Sequence, residues 1–494
     1  MTASPTPQSV LPQHGPLGLL IGGKQVPALS GRTFPTVNPA TGHEIAQLAE
    51  GGAADVDLAV AAARRAFDGG WSRWTPTQRQ ALLMRIAALI DERFDDLALL
   101  ETLDMGAPLT RTRALREPIR QMILFFAAQA LSIRGETLQN SLPLNIQSMT
   151  IRAPVGVVAG IIPWNGPLIS QWWVLGGVLA TGCTAVIKPA EDASLSVLRV
   201  VELLHEAGMP EGVVNVVTGH GHVAGEALAR HPGVDRIAFT GSTATGRRIV
   251  EASTVGMKKL QLELGGKSPD IVFADADLDK AVPGAAMAVF TNSGQVCYAG
   301  TRLFVQRRIQ DEFVARLTEF TRTLRMGNGL DPSVQLGPLI SGRQLDRVMG
   351  YVQGAPAEGA RLAIGGERLG GDLAGGYFVA PTIFADVSND MRIAREEIFG
   401  PVISVIPFDD ADDALRMAND TEYGLGGAVW TRDVSTMYRM VNGLRTGTLW
   451  VNCYGAVDPV VGFGGIKNSG YGAKGGSDHL DLYLYRKAVY VNIG

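Results

Sequence analysis

Six short segments combine chemically versatile side chains with glycine or proline, and one of them carries a cysteine. Cys297 follows Gly294 in a turn of small residues, where a thiol can be reached and deprotonated. A thiolate adds to electrophilic carbon, and addition to an aldehyde gives a tetrahedral carbon that bears an oxyanion. Most cysteines are buried and inert, and we interpret Cys183 and Cys453 in that way. The segments are 163–165, 188–191, 239–246, 263–269, 294–297 and 396–401.

The segment Gly241–Gly246 follows an apolar strand pattern and opens a helical pattern. The first amides of a helix and its positive dipole end favour an anion. Together with the Ser242 hydroxyl, they predict a site for a pyrophosphate.

Three other motifs fail on spacing. The third glycine of the segment 219–225 comes one residue too late for a dinucleotide fingerprint. Gly265–Ser268 resembles the end of a P-loop, but Gln261 stands where the first glycine is required. His220 and His222 are the only neighbouring histidines and have no evident third ligand, so we expect no metal site.

The six segments, in this order and at these spacings, resemble the NAD(P)-dependent aldehyde dehydrogenase superfamily over residues 20–494. The branch is similar to the hydrolytic, non-phosphorylating enzymes of the betaine-aldehyde and broad-specificity type. The resemblance implies an α/β fold with a Rossmann-like NAD-binding domain, an α/β catalytic domain and a small β oligomerisation domain. It implies oxidation of an aldehyde to a carboxylic acid through a thiohemiacetal and a thioester on Cys297.

The same resemblance gives two more catalytic roles. The Asn165 amide and the Cys297 backbone N–H would bind the oxyanion, and Glu263 would be the general base that activates water. Leu262, Leu264 and two glycines surround Glu263, and an apolar setting raises a carboxyl pKa. Family members that transfer the acyl group to coenzyme A lack this base, so we expect a free acid as the product.

The implied cofactor is NAD. Lys188 and Glu191 would bind the adenine ribose, and Glu397 with Phe399 would place the nicotinamide ribose. A carboxylate at Glu191 repels a 2′-phosphate, which predicts NAD over NADP. The full implied set is Ile161, Pro163, Trp164, Lys188, Glu191, Gly241, Ser242, Gly246, Glu397 and Phe399.

Two positions depart from the family pattern. Val174 stands where many relatives have lysine, and Lys474 stands where they have glutamate. In relatives these two groups have been linked to a proton path for the general base. The double change predicts that the proton leaves Glu263 through water or backbone groups.

The aldehyde pocket lacks aromatic residues that relatives often carry. Those sites correspond here to Gly166, Thr291 and Val457, which leaves Trp173, Tyr454 and Phe463 as walls. The pattern predicts a substrate bulkier than acetaldehyde: aromatic, branched or a semialdehyde. Arg116 or Arg120 could reach the pocket mouth and bind an acidic aldehyde.

Two other functions stay open. A non-catalytic NAD-binding or structural protein on the same fold is possible in principle, although Asn165, Glu263 and Cys297 are all present. The same cysteine and oxyanion site could also hydrolyse esters or thioesters as a side activity.

Alternating helix and strand patterns must position these residues. Short apolar strands recur from residue 151, and the polar residues that end them are where ligands bind in α/β sheets. Residues 53–68 predict one helix, and a capping box at Thr75–Gln78 opens another through about residue 104. We interpret the acidic stretch 91–104 as a solvated helix face.

The predicted division joins two α/β domains near residue 265. It comprises a flexible tail (1–16), an NAD-binding domain (17–135 and 155–265) and a catalytic domain (266–470). By resemblance, 136–154 and 471–494 are oligomerisation segments of a homodimer or homotetramer.

Composition limits the partners. The chain has 494 residues, with 44 Lys and Arg against 48 Asp and Glu and a formal net charge of −4. This balance argues against a protein that binds nucleic acid through its charge. The uncharged run between Arg152 and Lys188 is interrupted by prolines, which argues against a membrane span. Three cysteines fit a reducing compartment, and we expect a cytoplasmic protein.

Overall fold

The computed structural model describes residues 5–13, 15–142 and 145–494. The strands are β1 (Leu19–Ile21), β2 (Lys24–Val26), β3 (Thr33–Asn38), β4 (His43–Ala49), β5 (Thr137–Leu138), β6 (Ile146–Pro154), β7 (Val157–Ile162), β8 (Thr184–Pro189), β9 (Val214–Val216), β10 (Arg236–Thr240), β11 (Lys259–Glu263), β12 (Pro269–Val272), β13 (Arg302–Gln306), β14 (Arg361–Ile364), β15 (Thr382–Ala385), β16 (Val402–Phe408), β17 (Ala428–Trp430), β18 (Trp450–Val451), β19 (Gly470–Tyr471) and β20 (Leu484–Asn492).

The helices are α1 (Pro7–Val10), α2 (Ala53–Asp68), α3 (Pro76–Glu92), α4 (Phe94–Met105), α5 (Leu109–Ala114), α6 (Arg116–Ser132), α7 (Pro167–Ser170), α8 (Trp172–Thr181), α9 (Leu195–Glu206), α10 (Glu226–Arg230), α11 (Thr243–Ser253), α12 (Leu278–Phe290), α13 (Gln310–Arg322), α14 (Gly342–Gly354), α15 (Arg392–Arg395), α16 (Ala411–Asn419) and α17 (Val434–Gly443). None of the helices in the described ranges is long and apolar enough to cross a membrane.

Two mixed sheets form the body of the molecule. The first has eight strands in the order β19-β11-β10-β7-β8-β9-β1-β2, with a parallel centre from β11 to β9. The second has seven strands in the order β14-β15-β16-β13-β12-β17-β18. The chain passes from the first sheet to the second between Glu263 and Pro269. This α/β architecture is the predicted one.

Register in the first sheet aligns the segments that carry chemistry. Ile161 on β7 lies opposite Lys188 on β8, and Thr240 on β10 lies opposite Glu263 on β11. Because these strands are parallel, the polar residues that end them meet at one edge of the sheet.

The C-terminal region adds strand β19 to the eight-stranded sheet and strand β20 to a three-stranded sheet. Strand β19 pairs antiparallel with β11, so that Gly470 faces Glu263. The predicted boundary between residues 470 and 471 therefore falls inside a strand. Strand β20 pairs along its whole length with β6, which also pairs with β5 in a three-stranded antiparallel sheet.

The N-terminal segment is partly packed. Residues 1–4 and 14 of the predicted tail lie outside the described residues. Helix α1 contacts α4, and Val10 and Leu11 pack against the largest hydrophobic cluster. The tail is therefore docked over part of its length.

The prediction for residues 75–104 is wrong in two respects. The helix that starts at the Thr75 cap ends at Glu92, and a second helix begins at Phe94 after a break at Arg93. The acidic stretch is not solvated throughout, because Glu101 and Asp104 are each 1% exposed. Helix α4 is packed against α5, α9 and β3, which leaves no free face at these positions.

Candidate active site

The loop before Cys297 is held by an unusual backbone. Asn292 and Ser293 have φ values of 53° and 55°, and Gly294 follows at 74°. A side chain at Gly294 would collide with the Gly400 carbonyl, so the position requires glycine for space as well as conformation. The buried Gln295 carboxamide accepts from the Ile340 N–H at 2.9 Å and donates to the Asn292 carbonyl. These contacts fix the loop that presents the thiol.

Cys297 and Glu263 are in direct contact. The thiol donates to Glu263 Oε1, with 3.2 Å between Sγ and the oxygen. Burial and the charge of Glu397 raise the pKa of Cys297 to about 12. A thiol with so high a pKa needs a neighbouring base to lose its proton, and Glu263 is the carboxylate in contact with it.

Lys474 lies on the other oxygen of Glu263. Its ammonium forms an ion pair with Glu263 Oε2 and donates to Thr240 Oγ1 at 2.9 Å. Val174, the other departure from the family pattern, is buried against Gly160 on β7. The predicted path of the Glu263 proton, through water or backbone groups, leaves out Lys474, whose ammonium contacts the carboxylate directly.

Asn165 reaches the same loop from the end of β7. Its side-chain amide donates to the Gln295 carbonyl at 2.9 Å, and the Asn292 amide donates to the Asn165 carbonyl at 2.9 Å. One N–H of the Asn165 amide remains for a substrate oxygen, since a primary amide has two donors.

Two connected cavities lead away from Cys297. The first, of about 210 Å³, is lined by Cys297, Glu263, Asn165 and Glu397 among others, and the second, of about 330 Å³, is lined by Lys188 and Glu191. Both cavities share the residues Pro163, Trp164, Thr240, Gly241 and Ser242.

Nine of the ten residues implied for the cofactor line these cavities. The exception is Gly246, which is buried in α11 where a side chain would collide with Leu264. Gly246 allows the helix to approach β11 and its neighbours, whereas Ser242 caps that helix by accepting from the Thr245 N–H.

Lys188 and Glu191 form an ion pair of 3.0 Å in the second cavity. The Lys188 ammonium lowers the pKa of Glu191 against the opposing effect of burial. Glu191 also accepts from the Gly221 N–H at 3.4 Å. The rejected glycine segment 219–225 thus contributes to this cavity, although its spacing does not fit the dinucleotide fingerprint.

Helix α14 supplies two residues that the sequence analysis missed. Gln344 donates to the Phe399 carbonyl at 2.8 Å, and Arg347 donates to the Glu397 carbonyl at 2.7 Å. They hold Phe399 at a φ of 59°, with its ring 5.1 Å from that of Trp164. No local pattern marks them, because they lie on an ordinary amphipathic helix.

The buried carboxyl of Glu397 faces the first cavity. Burial raises its pKa to about 7, and the Gly266 N–H donates to it at 3.2 Å. A side chain at Gly265 would collide with this carboxyl, so glycine makes room for it.

The residues predicted for the aldehyde pocket separate into two groups. Tyr454 and Phe463 pack in one cluster with Cys297, and the Tyr454 hydroxyl donates to the Tyr298 carbonyl. The remaining four line neither of the two connected cavities: Gly166, Trp173, Thr291 and Val457. Phe463 also lines a third cavity of about 580 Å³.

The arginine that lies near the catalytic loop is Arg111, whereas Arg116 and Arg120 pair with acidic residues elsewhere. Arg116 pairs with Asp91 and Asp95, and Arg120 pairs with Glu117, all on exposed helix surfaces. Arg111 is buried near Tyr298 and Glu101, and its Nη1 has no hydrogen-bond partner within the described residues.

Comparison with known proteins agrees with this geometry. Residues 26–489 match the model of the aldehyde dehydrogenase family. The chain is 44% identical to an aldehyde dehydrogenase of Aspergillus niger, covering 97% of this chain and 96% of that protein. It is 43% identical to a mitochondrial benzaldehyde dehydrogenase of Antirrhinum majus, covering 95% and 88%.

A solved structure shares the fold. Betaine aldehyde dehydrogenase of Staphylococcus aureus, in complex with NAD+, superimposes with a TM-score of 0.95 at 38% identity, covering 97% of this chain and 95% of that chain. With the family model matched over nearly the whole length, the chain belongs to the aldehyde dehydrogenase family.

Proposed function

We propose that this protein oxidises an aldehyde to a carboxylic acid with NAD as cofactor, through a thioester on Cys297. The observation that carries the proposal is the 3.2 Å contact between the Cys297 thiol and Glu263, which both line the first of the two connected cavities. Membership in the aldehyde dehydrogenase family supports the reaction class.

The cavity residues fit NAD. The Lys188–Glu191 pair offers a donor and an acceptor for ribose hydroxyls, and the cavity passes the N-terminus of α11, where a pyrophosphate is favoured. Glu397 and Phe399 line the cavity nearer Cys297, where they would hold the second ribose. When bound, NAD supplies a nicotinamide ring that accepts the hydride from the substrate carbon.

The protein's own residues carry the first half-reaction. Glu263 takes the thiol proton as Sγ bonds to the aldehyde carbon, because a thiol with a pKa of about 12 does not ionise unaided. The free N–H of Asn165 and the backbone N–H of Cys297 donate to the oxyanion that forms.

Glu263 acts again in the second half-reaction. Once Glu263 has passed the thiol proton to solvent, its carboxylate removes a proton from the water that attacks the thioester carbon. The C–S bond then breaks to release the acid, and Glu263 returns this proton to the Cys297 thiolate. Glu263 touches Sγ in the resting enzyme, so it already lies near the carbon that water must reach.

We further propose an aromatic or branched aldehyde as substrate. Tyr454 and Phe463 pack in one cluster with Cys297, and Gly166, Thr291 and Val457 are smaller than the aromatic residues that relatives often carry at these positions. The benzaldehyde dehydrogenase among the relatives fits this proposal. A semialdehyde is the second candidate, because the unpaired Nη1 of buried Arg111 could bind a carboxylate.

An aldehyde panel tests these proposals. NADH formation is measured with benzaldehyde, a branched aliphatic aldehyde, acetaldehyde and a four-carbon semialdehyde, for the native protein and Cys297→Ala. We expect turnover that is highest with the first two and absent in the variant. Turnover that persists in Cys297→Ala overturns the mechanism, and NAD binding without any turnover favours a non-catalytic protein.

Ester hydrolysis is the proposed side activity. It requires Cys297 and the oxyanion donors but no cofactor, so hydrolysis of an activated ester without NAD isolates the thiol step. Loss of this hydrolysis in Cys297→Ala is the expected result.

We also propose a cytoplasmic homodimer or homotetramer. All three cysteines are free, which suits a reducing compartment. Strand β20 lies at the edge of its sheet and exposes Tyr485 and Tyr490, and such an edge favours pairing with another copy. Light scattering coupled to size exclusion would give the mass of the assembly.

A further inference from the structure

Lys474 is a buried cation inside the proposed catalytic machinery. Its side chain is 8% exposed, as is that of Glu263, with which it forms an ion pair. Because Oε2 of Glu263 faces Lys474 and Oε1 accepts from the Cys297 thiol, the carboxylate lies between an ammonium group and a thiol.

The backbone around Lys474 keeps the ammonium in place. The N–H of Lys474 donates to the Phe463 carbonyl at 2.7 Å, and the N–H of Phe463 donates back to the Lys474 carbonyl. The preceding residue, Ala473, accepts from the Gln261 amide at 3.2 Å, which ties the segment to β11. The Lys474 ammonium also donates to Thr240 Oγ1, which ties the segment to β10.

We propose that Lys474 is a positioning residue for Glu263, whose ammonium keeps the carboxylate ionised and turned so that Oε1 can accept the proton of Cys297. This inference rests on the proposed role of Glu263 as the base. Lys474 touches neither substrate nor cofactor in the proposed mechanism and acts through Glu263.

The charges around the pair support this direction. Burial alone lowers the pKa of Lys474 to about 7, whereas the adjacent carboxylate favours the charged ammonium. His479 also faces Lys474 but is neutral, since burial lowers its pKa to about 3. On the other side of Glu263, the Cys297 thiol donates to the carboxylate, and Glu397 opposes negative charge on the sulfur.

Removing the cation leaves a buried carboxylate whose remaining partner is the neutral Cys297 thiol. Such a group regains a proton, because burial disfavours its charged form. A protonated Glu263 cannot accept the thiol proton, so the chemistry of Cys297 would begin only at higher pH.

The test measures alkylation of Cys297 by iodoacetamide without NAD, from pH 5 to 9, with the modified peptide quantified by mass spectrometry. Exposed Cys453 reports the intrinsic reactivity of a thiol in the same sample. The variants are Lys474→Met and Lys474→Gln, with Lys474→Arg to restore the charge. Lys259→Met is the matched control, because Lys259 lies on β11 but bonds to the distant Leu484 carbonyl.

In the native protein, alkylation of Cys297 should increase with pH along the acidic limb of the profile. In Lys474→Met we expect this limb to shift to higher pH by about one unit or more, so that alkylation at pH 6 falls about tenfold. Lys474→Arg should return the limb towards the native position, and Lys259→Met should leave it unchanged. If Lys474→Met does not fold, Lys474→Gln carries the same expectation. A superimposable profile in a folded neutral variant overturns the inference.

Glu263→Gln separates this inference from the proposed function. Loss of the acidic limb in Glu263→Gln, with an unchanged profile in Lys474→Met, overturns the role of Lys474 and leaves the base assignment intact. A native profile in Glu263→Gln overturns both. The kcat profile of the NAD-loaded enzyme should show the same shift as the alkylation profile.

Discussion

Two regions of the molecule hold buried carboxylates in opposite surroundings. Glu101 and Asp104 on α4 are each 1% exposed and receive neutral donors: Thr36 and Ser196 hydroxyls and the Leu168 and Leu195 N–H groups. Glu263 on β11 is 6% exposed and lies between the Lys474 ammonium and the Cys297 thiol.

The difference between these regions separates a structural acid from the proposed catalytic one. Neutral donors within the fold occupy both oxygens of each group and leave neither oxygen facing a nucleophile, so Glu101 and Asp104 join α4 to neighbouring elements. One cation on one oxygen leaves the other oxygen for a thiol. Burial and residue type alone therefore do not identify the base, and the partners do.

The largest expected effect is on the catalytic side. Glu263→Gln should lower kcat by about 10²–10⁴, because it removes a general base while the amide keeps the shape. The measurement is steady-state NADH formation, with thermal melting to show that the fold is retained. A loss smaller than tenfold would place the base elsewhere.

A change to the structural carboxylates should lower the stability of the folded protein. Glu101→Gln should lower the free energy of unfolding by about 1–3 kcal/mol, because the amide N–H₂ would face a hydroxyl or N–H donor. Urea unfolding measures the loss, with Glu92→Gln, on an exposed position, as the control. The alkylation profile of Cys297 should not move, and a shifted profile would break the separation between the regions.

The pH dependence of stability sharpens the same contrast. Burial raises the pKa of Glu101 from 4.5 to about 7 and that of Asp104 from 3.8 to about 6. The folded state therefore binds more protons than the unfolded state between these limits, and this contribution to stability is lost as the pH rises from about 4.5 to 7. Urea unfolding at pH 5 and 7.5 should show a smaller pH effect in Glu101→Gln than in the native protein.

The smallest effect concerns a third carboxylate of intermediate character. Glu191 is 29% exposed and pairs with Lys188, so it combines a cation with access to ligand. Glu191→Gln should improve the ratio of kcat/KM for NADP over NAD by about tenfold, because repulsion of a 2′-phosphate disappears. An unchanged ratio would show that Glu191 does not meet the ribose.

Motifs with fixed local spacing were the part of the site that the sequence could predict. The α/β architecture and the clustering of Asn165, Lys188 and Glu263 both follow from strands whose polar ends meet at one edge. Gly246 shows the limit of a motif, since its glycine serves helix packing and does not line the cavities.

Long-range contacts were the part that it could not predict. The ion pair between Lys474 and Glu263 joins residues more than 200 positions apart, and nothing in the local pattern of either segment indicates it. Likewise, the acidic pattern of 91–104 does not reveal that α5, α9 and β3 surround α4. Gln344 and Arg347 were not predicted either, because their contacts with Phe399 and Glu397 are also long-range.

The pairing of β19 with β11 has a consequence for biosynthesis. A ribosome completes seven strands of the first sheet by Glu263 and delivers the eighth, Gly470–Tyr471, about 200 residues later. Contacts of such long sequence separation form slowly. Lys474, which follows this strand, is therefore among the last residues of the proposed site to take its place during synthesis.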